Sequence, residues 1–154
     1  MKIRKANLKD IVDINRIYVE GGIDEERLQF PNASKKKIIK TFNKHLKERI
    51  NGFKRELKNK KHYWILCEGK NMLGFGQAWI KNKDIGVLEK VYIDKKARGK
   101  GIATKISKKL IKWLKNKNVR YIEAGLYWKN IHSRKLNKKL GFKPISLKMR
   151  LEPK

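Results

Sequence analysis

Six consecutive residues, Arg98-Gly99-Lys100-Gly101-Ile102-Ala103, carry the densest chemistry in this chain. Two glycines and two cations stand where a strand-like run, residues 87–93, gives way to a helix-like run, residues 102–114. A helix that starts at such a turn presents unpaired backbone N–H groups. Those groups and the positive end of the helix dipole hold anions. Glycine brings the backbone close with no Cβ in the way, and Arg98 and Lys100 add charge. The chemistry is that of a diphosphate cradle. A P-loop is excluded, because Gly-x-x-x-x-Gly-Lys-Ser/Thr does not occur. A dinucleotide fingerprint is disfavoured, because Thr104 stands where its third Gly or Ala belongs.

Carboxylates form the second group. Glu89 lies on the strand before the cradle, and period two puts it on one face with Val91 and Ile93. A carboxylate there can take a proton from an amine; paired with one of many lysines it is structural. Asp24, Glu25 and Glu26 make the most acidic patch of a basic chain. They suit a cationic amine, such as a polyamine or a lysine-bearing peptide, or a solvated turn. Trp79, Tyr127 and Trp128 either line a groove or belong to the core.

Behind these residues the pattern predicts their supports. Residues 3–5 read as a strand, and Asn7 with Asp10 as a capping box. Leu8, Ile11, Ile14, Ile17 and Tyr18 have helical spacing, ended by Gly21-Gly22. A loop, residues 23–32, follows. Ser34 caps a long second helix with one apolar stripe: Ile39, Phe42, Leu46, Ile50, Phe53 and Leu57. Residues 62–68, 72–80 and 85–94 read as a β-meander. Beyond the cradle, Ile102, Ile106, Leu110 and Leu114 mark a helix, residues 119–128 a strand, and residues 130–140 a helix. Residues 142–151 read as a last strand. The order is β-α-α-β-β-β-α-β-α-β, a mixed α/β sheet in a single domain over residues 1–154.

The 42 Lys and Arg against 14 Asp and Glu give a net charge of +28. Such charge attracts nucleic acid, anionic lipid or phosphorylated cofactors; the codon bias of an AT-rich genome produces the same lysine excess. No apolar run approaches the roughly 20 residues that cross a membrane, and the first residues lack the apolar core of a signal peptide. Cys67 is alone, and His45, His62 and His132 have no ligand-like spacing, so no metal is expected. A reducing, cytoplasmic setting is the expectation.

The chain resembles the GNAT superfamily of N-acetyltransferases. Its signature, Gln/Arg-x-x-Gly-x-Gly/Ala, is matched by Arg98, Gly101 and Ala103. Val91-Tyr92-Ile93-Asp94 is similar to the family's fourth strand, and Asn130-x-x-Ser133-x-x-Leu136-x-x-x-Leu140-Gly141-Phe142 to its last motif. The resemblance implies acetyl-CoA as co-substrate, an amine acceptor, and a sheet splayed between strands 4 and 5. It implies that Arg98, Gly99, Lys100, Gly101, Ile102, Ala103 and Thr104 hold the CoA diphosphate. Val91, Tyr92 and Ile93 would pair with the pantetheine arm, with Asn130 and Ser133 beside it. Glu89 would be the general base. Substrate choice falls to residues 21–32, and homodimers are common in the family. One position departs. Asn137 stands where a tyrosine usually protonates the departing thiolate, so water, Ser133 or Tyr127 would substitute. A nucleic-acid-binding module on the same fold, with little catalysis, is the alternative that the charge suggests.

Overall fold

The computed structural model describes residues 1–151; residues 152–154 of the expected domain lie outside the described residues. The elements are β1 (Lys2–Lys5), α1 (Ile11–Gln29), α2 (Lys35–Lys44), α3 (Leu46–Lys58), β2 (His62–Glu68), β3 (Met72–Ile80), β4 (Ile85–Ile93), α4 (Ile102–Lys115), β5 (Tyr121–Ala124) and α5 (Ile131–Lys139). The sheet runs β1-β2-β3-β4-β5. Its first four strands are antiparallel neighbours. β5 joins β4 in parallel, from Ile85↔Tyr121 to Leu88↔Ala124. This is the mixed α/β sheet expected from the sequence.

Strand β2 is apolar from Tyr63 to Cys67 because helices cover both of its faces. Ile65 and Cys67 face α4, where Ile102, Ile106, Leu110 and Leu114 pack with Ala78 and Leu88. Trp64 and Leu66 face the other way, toward Ile14 and Ile17 of α1 and Phe53 of α3. The entry to α1 is pinned by charge. Asp10 Oδ2 accepts from the Asn7 N–H at 2.8 Å, and Asn7 Oδ1 accepts from the Lys9 N–H at 2.9 Å. Arg4 donates to both Asp10 oxygens at 2.8 and 2.9 Å, and its guanidinium holds that carboxyl below the usual carboxylate range.

Four sequence expectations are corrected. Gly21-Gly22 does not end the first helix, which continues to Gln29. Both glycines are buried. A Cβ on Gly21 would overlap the Tyr92 ring, and one on Gly22 would lie 2.6 Å from Phe42 Cζ. They serve close packing, and the expected loop 23–32 is mostly helix. The long second helix breaks at His45 into α2 and α3. Arg49 donates to the Phe42 carbonyl at 2.9 Å, satisfying a group freed at the break. The break lets Phe42 meet Tyr18 while Phe53 meets Trp64. β5 is four residues long, not ten, because β4 turns away from it after Leu88. The last expected strand, 142–151, forms no ladder. Its alternating Ile145, Leu147, Met149 and Leu151 are exposed, and alternation makes a strand only where a partner and a covering layer bury one face.

Candidate functional site

The site begins at a β-bulge. Gln77 pairs with Lys90 and the next residue, Ala78, pairs with Leu88, so Glu89 is left without a partner on β3. A bulge bends its strand and increases the local twist. It also undoes the period-two reading of Glu89. Leu88 and Val91 both pack toward α4, while Glu89 reaches Lys90, its Oε1 accepting from Nζ at 3.0 Å. Lys90 also donates to Gln77 Oε1 at 2.9 Å, and Gln77 Nε2 donates to Glu56 at 3.1 Å. Past Leu88 and Ala124 the two strands no longer pair. The main-chain edge of Val91, Tyr92 and Ile93 on that side is therefore free of a strand, apart from the Ile93 carbonyl, which accepts from Arg98 Nε at 3.3 Å.

A cavity of about 70 Å³ fills the split. Leu88, Glu89, Val91 and Tyr92 of β4 form one wall, and Ser133, Leu136 and Asn137 of α5 the other. Ser107 of α4 closes the floor, and Glu25 of α1 reaches in from the opposite side. The Ser107 hydroxyl is buried and has no hydrogen-bond partner among the described residues.

The cradle lies at the other end of the split. Gly99 and Gly101 have φ of +79° and +72°, and neither has an atom within 4 Å of where a Cβ would stand. Left-handed backbone is costly for other residues. The first backbone bond into α4 runs from the Lys105 N–H to the Gly101 carbonyl. Among the described residues, the amides from Gly99 through Thr104, those of Lys100, Ile102 and Ala103 included, donate to no carbonyl outside the helix. This row of open donors at a glycine turn fits a diphosphate.

The expected cations divide. Lys100 stands exposed at the cradle. Arg98 instead turns its guanidinium to Asp24 at 3.0 Å, and Lys95 reaches the same carboxylate at 3.4 Å. Glu20 accepts from the Lys95 N–H at 3.3 Å, and Arg16 donates to Asp94 at 2.7 Å. Arg16, Glu20 and Asp24, four residues apart on one face of α1, thus clamp the loop that carries the cradle. Asn130 caps α5, its Oδ1 accepting from the Ser133 N–H at 3.0 Å. Tyr127 and Trp128 are exposed and stand outside the cavity wall. Trp79 stacks on His62 instead.

Glu25 escaped the sequence reading as an individual residue because its segment read as a loop. Tyr18, Gly22 and Glu25 follow one face at i, i+4 and i+7, which is the signal that a longer helix would have supplied. Glu25 Oε2 accepts from the Tyr92 hydroxyl at 2.8 Å. Burial pushes the Glu25 carboxyl above its ordinary value. Burial and the Glu25 charge together push the Tyr92 hydroxyl up. Behind this pair lies a groove of about 1110 Å³ between α1, α2 and α3, lined by Tyr18, Phe30, Phe42, Glu26 and Arg49. No group of three or more His, Cys, Asp or Glu among the described residues is arranged to hold a metal ion.

Comparison with known proteins agrees with this geometry. No curated protein matches the chain in sequence. The PaiA N-acetyltransferase of Thermoplasma acidophilum in complex with coenzyme A superposes with a TM-score of 0.78 at 17% identity, over 92% of this chain and 89% of that one. A predicted acetyltransferase of Clostridium acetobutylicum with acetyl-CoA gives 0.75 at 23% identity, over 98% and 95%. The aminoglycoside 6′-N-acetyltransferase AAC(6′)-Ig of Acinetobacter haemolyticus gives 0.68 at 18% identity, over 100% and 99%. These likenesses establish a shared fold. The model of the acetyltransferase (GNAT) family matches residues 24–142. With the cradle, the bulge and the split lying inside that span, the chain belongs to the GNAT family of acetyltransferases.

Proposed function

We propose that this protein transfers an acetyl group from acetyl-CoA to a primary amine. The observation that carries the reading is the pairing of an open amide row, Gly99 to Thr104, with a cavity in the β4–β5 split. Acetyl-CoA supplies the acetyl group as an activated thioester. The amide row and Lys100 hold its diphosphate. The free edge of Val91, Tyr92 and Ile93 and the side chains of Asn130 and Ser133 position its arm. The orphaned Ser107 hydroxyl offers a further hydrogen bond inside the cavity. The aromatic groove beside Glu26 admits the acceptor.

An alkylamine with a pKa near ~10.4 arrives protonated at neutral pH and must lose a proton to react. A carboxylate on the cavity wall receives it. Glu89 and Glu25 both stand on that wall, and Glu89 is the residue to which the family pattern points. Asn137 lines the wall and has no acidic proton to give. Ser133 is the hydroxyl nearest in sequence, and Tyr127 lies outside the wall. A thiol of pKa near ~8.5 leaves tolerably as thiolate without a strong acid.

The test is release of free CoA thiol from acetyl-CoA in the presence of polyamines, amino sugars, amino acids and lysine peptides. Amine-dependent release with at least one class is expected. Release with none of them contradicts the reading.

A further inference from the structure

We infer that Glu25, rather than Glu89, receives the proton of the acceptor amine, and that Tyr92 positions it. The inference rests on the acetyl-transfer reading above and assigns the base within it.

Glu25 and Glu89 line the same cavity, but their surroundings differ. Glu89 is bound at 3.0 Å by the ammonium of Lys90, which Gln77 of β3 and Glu56 of α3 also hold. Its carboxylate is the outer member of an ion-pair cluster. Glu25 makes no ion pair among the described residues. The cations nearby go to its neighbour: Arg98 and Lys95 both take Asp24. One Glu25 oxygen accepts from Tyr92, which leaves the other available to the cavity.

Position supports the same assignment. Glu25 stands on α1 between the aromatic groove and the split, one residue before Glu26, which lines the groove. Tyr18 and Tyr92, in edge contact at 5.2 Å between ring centres, form the partition beside it. An amine that enters from the groove meets Glu25 as it reaches the split. The Tyr92 ring is itself wedged against Gly21, so the hydroxyl that orients Glu25 is fixed by packing.

The chemistry balances. The ammonium gives one proton to Glu25, and the freed lone pair forms the C–N bond. The C–S bond breaks with its electron pair on sulfur, and the second proton lost from nitrogen neutralises the thiolate. Glu25 returns its proton to solvent.

The sign of the pH effect follows from the surroundings. Asp24, Glu26 and Tyr18 on α1, Tyr92 and Glu89 on β4, and Lys95 and Arg98 of the cradle loop, both paired with Asp24, are the titratable groups around Glu25. Burial and the charges of Glu26 and Asp24 raise its carboxyl, while the Tyr92 hydrogen bond lowers it. A base must be ionised, so kcat/KM falls as pH drops through that raised value.

The experiment compares Glu25→Gln, Glu89→Gln and Tyr92→Phe with wild type across pH. The probes are acetyl-CoA and the best amine found above, with CoA affinity measured in parallel. Glu25→Gln is expected to lower kcat/KM by about 10²-fold or more and to abolish the acid limb, with CoA affinity kept. Glu89→Gln is expected to stay within about tenfold. Tyr92→Phe is expected to move the acid limb to higher pH and to lower the high-pH plateau by about tenfold, the worth of the one hydrogen bond that orients Glu25, with CoA affinity kept. Glu25→Gln within tenfold of wild type, or a larger loss in Glu89→Gln, overturns the inference and leaves acetyl transfer intact. Loss of CoA affinity in Glu25→Gln overturns it by showing a scaffold role. A wild-type protein inactive on every amine overturns the acetyl-transfer reading and this assignment with it.

Discussion

Ser107 is a hydroxyl in the middle of an apolar stripe. It sits between Ile106 and Leu110 on α4, fully buried, with no hydrogen-bond partner among the described residues. An unsatisfied buried hydroxyl costs about 1–3 kcal/mol. Ser107 lines the cavity of the β4–β5 split, where a bound ligand would supply that partner. Ser107→Ala is therefore expected to leave the ligand-free protein as stable or up to about 1 kcal/mol more stable, while weakening acetyl-CoA by roughly five- to tenfold, one ordinary hydrogen bond. Chemical denaturation and a binding titration check both halves. A destabilised ligand-free protein with unchanged affinity would show that the hydroxyl is bonded inside the fold. The pattern of the sequence hides this residue, since a lone serine in a helix stripe has no motif. Glu89 and the cradle, by contrast, announce themselves through neighbours, and yet the bulge moves Glu89 off the face that alternation assigns to it.

At the scale of elements, α1 connects the sites. Its second half carries Asp24 to the cradle loop, Glu25 to the cavity and Glu26 to the groove. Two glycines in a helix suggest an end to local reasoning, because glycine is a poor helix former. Here they are required by rings that arrive from β4 and α2, which only the assembled fold reveals. Gly21→Ala tests this directly. The propensity gain of about 1 kcal/mol is opposed by overpacking of about 1–3 kcal/mol, because the Tyr92 ring must move. The variant is expected to be less stable and to lose activity beyond its loss of stability, since Tyr92 orients Glu25. Thermal melts and rates at matched folded fraction measure it. A gain in stability with full activity would contradict the close-packing role. The meander was legible to the residue at β2 and β3, where the period changes cleanly and turns flank each strand. β5 was not, because its end depends on where β4 bends away, and the segment 142–151 was not, because its alternation has no strand partner or covering layer.

At the scale of the whole molecule, the net charge of +28 is spread over exposed lysines. The acidic residues are placed selectively. Asp10 and Glu68 fix the first strand through Arg4, and Asp94 with Asp24 fixes the cradle loop. The excess cations create a field that draws anions in general. Under the proposed function, the open amides between Gly99 and Thr104 are the one point where that field docks a ligand. That distinction could not be read from composition, which counts charges without their partners. The central claim is that this turn binds acetyl-CoA, and a calorimetric titration of acetyl-CoA into wild type and Gly101→Ala tests it most directly. Wild type should bind one equivalent and gain about 2.7 kcal/mol of stability at a hundredfold excess over Kd. Alanine at φ +72° costs about 1–2 kcal/mol and places a Cβ at the cradle, so Gly101→Ala should bind tenfold more weakly or worse. No binding by wild type, or equal binding by Gly101→Ala, would contradict the account.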